Sequence, residues 1–188
     1  AANKAYGAIL QSSGWGSYRV PTEADLRWQA YSALAYGSKI LGWFTYLTAE
    51  SLDNYAVIGI SGDRTEIYSL LYTINGEILT LGTTLLGLDS TGVYHTSPLP
   101  SGTTNVSNST YIASISTGAW VVGEFRDSSG KPYIILVNRN PHQSQTATIT
   151  FGTSIIGLKE ISKITGDESS VPGFNTSTHA VSLSYDPG

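Results

Sequence analysis

The chain changes its hydrophobic rhythm once, near residue 90, and the two rhythms predict two kinds of structure. Upstream, short continuous apolar runs alternate with helix-length stretches. Residues 5–11 (AYGAILQ) form one such run, ended by Ser12-Ser13-Gly14, and residues 40–46 (ILGWFTY) form a second. Runs of that length between turn residues predict strands buried on both faces, as in a parallel sheet covered by helices. Between them, Pro21-Thr22-Glu23-Ala24-Asp25 offers a capping hydroxyl and early acids. A helix is expected from there to about Tyr36, with Leu26, Ala30, Ala33 and Leu34 on its apolar side and Gly37 as its stop. Strand, helix and strand in that order predict a right-handed βαβ crossover.

After a long connection over residues 47–62, Asp63-Arg64-Thr65-Glu66 opens a second helix to about Leu85. Its Ile67, Leu70, Leu71, Ile74, Ile78, Leu81 and Leu85 recur at helical steps and predict one buried face. Downstream of Gly92 the period becomes two. VYHT (93–96), TYIASIS (110–116), AWVVGEF (119–125), PYIILVNRN (132–140), TATITF (146–151), GLKEIS (157–162) and AVSLSY (180–185) are short and β-branched or aromatic. Asp127-Ser128-Ser129-Gly130 predicts a hairpin turn, and the Ser/Thr/Asn-rich residues 101–110 predict an exposed loop. The expected fold class is therefore α+β, with βα units over residues 1–88 followed by an antiparallel β-sandwich over residues 89–188.

Composition narrows the chemistry. Charged residues make up only 13% of the chain while 20 glycines sit among many Ser and Thr, a balance suited to a turn-rich secreted or extracellular protein. No cysteine is present, so disulfides, thiolate nucleophiles and thiolate-held metals are excluded. A formal net charge of −4 with scattered Lys and Arg argues against a nucleic-acid partner, and no apolar run reaches membrane-spanning length. His95, His142 and His179 match no metal-ligand spacing, so neither a metal nor a cofactor is expected. The absence of methionine and the opening Ala1-Ala2-Asn3-Lys4 lead us to expect a processed or partial chain. Three Asn-x-Ser/Thr triplets, at Asn105, Asn108 and Asn175, fit the glycosylation acceptor pattern, which a Ser/Thr-rich chain also produces by chance.

The run PTEADLRWQAYSALAYGSKILGWFTY, Pro21 to Tyr46, resembles the end of the barrel in clan A-like glycoside hydrolases. GEFRDSSGKPYIILVNRNP, Gly123 to Pro141, is similar to the β-domain that follows such barrels. The resemblance implies that the βα units are the last two of a (β/α)8 barrel. It further implies that the intact parent hydrolyses O-glycosidic bonds with an acid/base from its fourth strand and a nucleophile at the end of its seventh. The first of those strands has no counterpart here. The strand ending at Gln11 aligns with the second, and an amide there does not attack as a carboxylate does, so that residue hydrogen-bonds sugar or the site lies elsewhere.

Trp15 and Tyr18, on a Gly-rich loop beyond that strand, are expected to contact carbohydrate. Trp43 and Phe44 are open between core packing and sugar stacking, and Tyr46 is the favoured sugar contact of the three; Leu47 follows it where many relatives place Trp. Glu50 and Asp53 on the next loop are either solvated acids or partners for a sugar hydroxyl or calcium. Glu23 and Asp25 are expected to serve the helix dipole, and Trp120, Phe125 and Tyr133 the core. The functional expectation is the C-terminal fragment of a secreted glycoside hydrolase, without a complete catalytic pair and not catalytically competent alone; the alternative is a carbohydrate-binding module that uses loop aromatics. Two βα units leave sheet edges open, so a homodimer or a missing N-terminal barrel segment is expected to cover them.

Overall fold

The computed structural model describes residues 5–49 and 54–188 as an α+β protein in which no sheet closes. Two strands, β1 (Gly7–Gln11) and β3 (Ile40–Phe44), pair in parallel around α1 (Glu23–Ala35), with Ile9 opposite Gly42 and Gln11 opposite Phe44. Thr22 caps α1 in a reciprocal box with Asp25, and the left-handed Gly37 ends it. A two-residue strand in each following loop, β2 (Gly14–Trp15) and β4 (Asn54–Tyr55), joins the two loops into a short antiparallel pair that the sequence pattern did not predict. The second helix, α2 (Glu66–Leu85), begins one residue after Thr65 and buries Ile67, Leu71 and Ile74. No described helix is long and apolar enough to cross a membrane.

Alternation sorts the residues of the parallel pair onto two faces. Leu10, Ala8, Leu41 and Trp43 turn toward Leu26 and Ala30 of α1 and Ile67, Leu71 and Ile74 of α2, forming one apolar core. The opposite face is bare. Ile9, Ile40 and Phe44 on it are 82%, 65% and 55% exposed, which corrects the expectation of strands buried on both sides. The apolar runs do carry residues for two cores, but among the described residues only one of those faces is covered.

The β half begins at β5 (Asp89–His95), longer than its apolar tetrad because a bulge near Gly92 lets the strand start earlier. It continues through β6 (Thr104–Asn105), a single 3-10 turn at Val106–Asn108, β7 (Ile112–Ile115), β8 (Trp120–Arg126) and β9 (Pro132–Asn138). Then follow β10 (Gln145–Phe151), the short β11 (Lys159–Ile161) and β12 (Glu168–Ser170), and β13 (Ala180–Tyr185). One sheet runs β6-β5-β8-β9 and another β13-β10-β7. They share a core in which Trp120 and Val122 meet Ala147, Ile149 and Val181. The first sheet is mixed rather than purely antiparallel: β6, within the stretch expected to be a loop, lies parallel to β5 over two residue pairs.

Strand β8 is buried from Trp120 to Phe125 because both its faces are occupied. Its even-numbered side faces the second sheet, while Val121, with Val137 of β9, packs on Ala35 of α1. Thus α1 sits between the parallel pair and the four-stranded sheet. At Gly123 the approach is closest, since a Cβ there would lie 2.2 Å from the Ala35 carbonyl oxygen.

Candidate functional site

The carboxyl ends of β1 and β3 are tied together before their loops depart. The Ser12 backbone N–H donates to the Phe44 carbonyl at 2.7 Å, and the Ser13 hydroxyl bridges the Phe44 carbonyl and the Thr45 N–H. Both serines are fully buried, and the Phe44–Thr45 peptide is cis. The loop after β1 then folds back on itself: Trp15 and Tyr18 exchange backbone hydrogen bonds of 3.1 and 2.9 Å around the left-handed Gly16. This turn sets the Trp15 and Tyr18 rings 5.1 Å apart at 39°, and brings Phe44 edge-on to Trp15 at 5.9 Å and 81°. Tyr18 and Phe44 remain mostly exposed, so the cluster offers aromatic surface to solvent at the ends of two parallel strands.

Beside this cluster lies an open cleft of about 420 Å³, bounded by Gln11, Tyr18, Arg19, Asp25, Trp28 and Gln29 among others. Its polar groups are largely engaged with one another. Gln11 donates through Nε2 to the carbonyls of Ser13 (2.9 Å) and Arg19 (3.0 Å), and its backbone N–H donates to Gln29 Oε1 at 2.8 Å. Gln29 Nε2 returns bonds to the carbonyls of Gln11 and Asp25. Arg19 grips Asp25 with two parallel bonds of 2.5 Å, while the N–H and hydroxyl of Thr22 also donate to that carboxylate. Burial alone would raise the Asp25 carboxyl, but the bonds from Arg19 and Thr22 outweigh it and hold it at about 2.

A second cleft, about 460 Å³ and largely apolar, opens between β3 and α2 and is lined by Trp43, Tyr46, Val57, Tyr68, Tyr72 and Leu79 among others. Trp43 reaches it from the helix-facing side of β3, where its indole N–H donates to Asn75 Oδ1 at 3.0 Å. Arg64 stacks over the Tyr68 ring at its edge.

The structure therefore distributes the residues expected to bind a ligand among three places. Gln11 and Tyr18 share the first cleft, Trp15 joins Tyr18 and Phe44 in the ring cluster, and Trp43 and Tyr46 line the second cleft. Glu50 and Asp53 lie outside the described residues. Trp43 and Phe44, adjacent in sequence, separate onto opposite faces, Trp43 packed against α2 and Phe44 exposed.

Arg19, Trp28 and Gln29 were not singled out from the sequence. The four-residue step from Asp25 to Gln29 was the available signal, since it places both on one face of α1. Three buried acids are fully engaged: Asp25 as above, Glu77 with Arg27 and Tyr31, and Glu124 with the Ser109 hydroxyl and the N–H groups of Thr110 and Tyr111. No group of three or more potential metal ligands occurs among the described residues. Comparison of the chain with protein-family models, with curated proteins and with solved structures finds no match.

Proposed function

We propose that the chain is the carbohydrate-binding closing part of a secreted glycoside hydrolase barrel with its appended β-domain, supplying aromatic contacts to sugar and no complete catalytic pair. The observation that carries the reading is the Trp15–Tyr18–Phe44 cluster at the carboxyl ends of β1 and β3, beside a sheet face that is apolar and bare. In barrels of parallel strands, ligands are held by the loops at that end, while the inward face is filled by side chains of the other strands. Ile9, Ile40 and Phe44 have the character such an interior requires. The similarity of Pro21 to Tyr46 to glycoside hydrolase barrels supports the same reading from the sequence.

Physically, the rings offer large apolar faces on which the C–H face of a pyranose can pack while its hydroxyls stay in water. Such a contact supports weak binding, with a dissociation constant on the order of 1 mM, about −4 kcal/mol. Isothermal titration of the whole chain with soluble glucans, mannans and xylans tests this, and Trp15→Ala is expected to weaken binding about tenfold. Silence across the panel would remove the reading. Turnover of aryl glycosides by the chain alone would instead show a catalytic pair that the proposal leaves out.

A further inference from the structure

The Gln11 cleft has polar and charged walls, yet little of that polarity is offered to a ligand. Its two charged residues, Arg19 and Asp25, are paired bidentately, and the amide N–H groups of Gln11 and Gln29 are each directed at two backbone carbonyls. What the cleft presents freely is ring surface: Tyr18 is 62% exposed and Trp28 37%. The adjoining rings of Trp15 and Phe44 stand at 39° and 81° to their neighbours, so the cluster is not a flat strip. With centroid separations of 5.1 Å from Tyr18 to Trp15 and 5.9 Å from Trp15 to Phe44, the cluster is short, spanning no more than a couple of sugar units.

We infer that this rim takes one or two units of a neutral sugar chain, and that Asp25 determines this specificity by neutralising Arg19, which would otherwise attract uronates. The inference rests on the proposed sugar binding and adds the class of sugar and the residue that selects it. A guanidinium matches a carboxylate through two parallel hydrogen bonds, and Asp25 already occupies that fork. Arg19 itself is well exposed, so removing the carboxylate leaves its charge facing the cleft rather than collapsing into the core.

Calorimetric titration of the whole chain and of Asp25→Asn, at low and high salt, with neutral oligosaccharides of increasing length and with oligogalacturonates tests the inference. The wild-type chain is expected to bind the neutral series, with affinity levelling off after the second unit, and to bind the acidic series at least about tenfold more weakly. Asp25→Asn is expected to gain about tenfold for the acidic series at low salt and to lose that gain at high salt. Equal wild-type affinity for both series, affinity that climbs with every added unit, adsorption to crystalline cellulose, or no gain in a folded Asp25→Asn overturns it. Where Asp25→Asn fails to fold, Arg19→Gln at its exposed position tests the same pair: it is expected to uncover the Asp25 charge and weaken the acidic series further, and unchanged binding of that series overturns the role of the pair. Silence toward every sugar in both proteins is the separate result that removes the underlying reading and this inference with it.

Discussion

Glu77 in α2 accepts both terminal guanidinium nitrogens of Arg27 in α1, at 2.7 and 3.1 Å, and the hydroxyl of Tyr31 donates to the same carboxylate at 2.6 Å. Lys163, from the loop between β11 and β12, adds a contact at 3.3 Å. One carboxylate thus joins both helices to the β half. The Glu77 and Arg27 side chains are 6% and 15% exposed, so among the described residues removing Glu77 leaves Arg27 with only the half-exposed Glu23, 2.8 Å from its Nε, and Tyr31 without its acceptor. Glu77→Ala is expected to cost about 3–5 kcal/mol, read as a lower urea midpoint at unchanged slope. Lys163→Ala, at a half-exposed position, is expected to cost less than about 1 kcal/mol. Equal costs would mean that the pair is not the join.

Stability should fall in two stages as the solution is acidified, the first through His95 and the second through carboxylates held below their ordinary values, Glu77 and Asp25 among them. Burial, with the Arg139 charge in support, holds His95 below the ordinary imidazole value of 6.5. The unfolded chain therefore takes up a proton that the fold resists. That contribution is complete above 6.5 and declines as pH falls from there through the folded value. Asp25 acts lower, with a carboxyl at about 2 against 3.8 unperturbed, so roughly 2 kcal/mol is present above pH 4 and lost as pH falls toward 2. Melting temperatures across this range should show both steps, and His95→Gln should flatten the first alone. An unchanged slope below pH 6.5 in that variant would remove His95 from the account.

Two glycines should respond to alanine in opposite directions. At Gly123 the new methyl would collide with the Ala35 carbonyl, backbone against backbone, and neither α1 nor β8 can withdraw without opening the packed layer between them. A loss of about 1–3 kcal/mol or more is expected. Gly82 lies inside α2 with nothing within 4 Å of an added Cβ. There alanine should stabilise by about 0.5–1 kcal/mol through helix propensity. Thermal melts of the two variants decide it, and a stable Gly123→Ala protein would contradict the close approach.

The helices and the main strands were legible because their signals are local. Thr22 and Asp25 announce a capping box, Gly37 a stop, and Asp127 to Gly130 a turn in which Asp127 Oδ1 accepts the N–H groups of Ser129 and Lys131. What escaped depends on partners distant in the chain. The β2–β4 pair links Gly14 to Tyr55, and the parallel β5–β6 pair is two residues long, too short to print a period on the sequence. The binding candidates were legible as residue types and not as arrangement. Nothing local says that Trp43 turns to α2 while Phe44 turns out, because the apolar run ILGWF has no polar side to mark a face. Glu77 was hidden for a related reason, since an acid on the apolar stripe of α2 becomes intelligible only when Arg27 and Tyr31 arrive beside it.

The bare face of the parallel pair leads to a prediction about association. Ile9 and Ile40 project from one side of β1 and β3, and among the described residues the sheet they belong to has two strands and therefore two edges. Apolar side chains next to open backbone groups form a surface that gains free energy by meeting another strand-bearing surface. The chain is expected to self-associate as its concentration rises, observed as increasing weight-average mass in sedimentation or light scattering. Ile9→Lys should move the equilibrium toward monomer, since pairing would bury the new charge. Folding stability should change by no more than about 0.5 kcal/mol, because the side chain already stands in water. The two readouts separate the explanations: a variant that unfolds places Ile9 in a core, whereas a wild-type chain that stays monomeric at every concentration shows that the face does not seek a second copy.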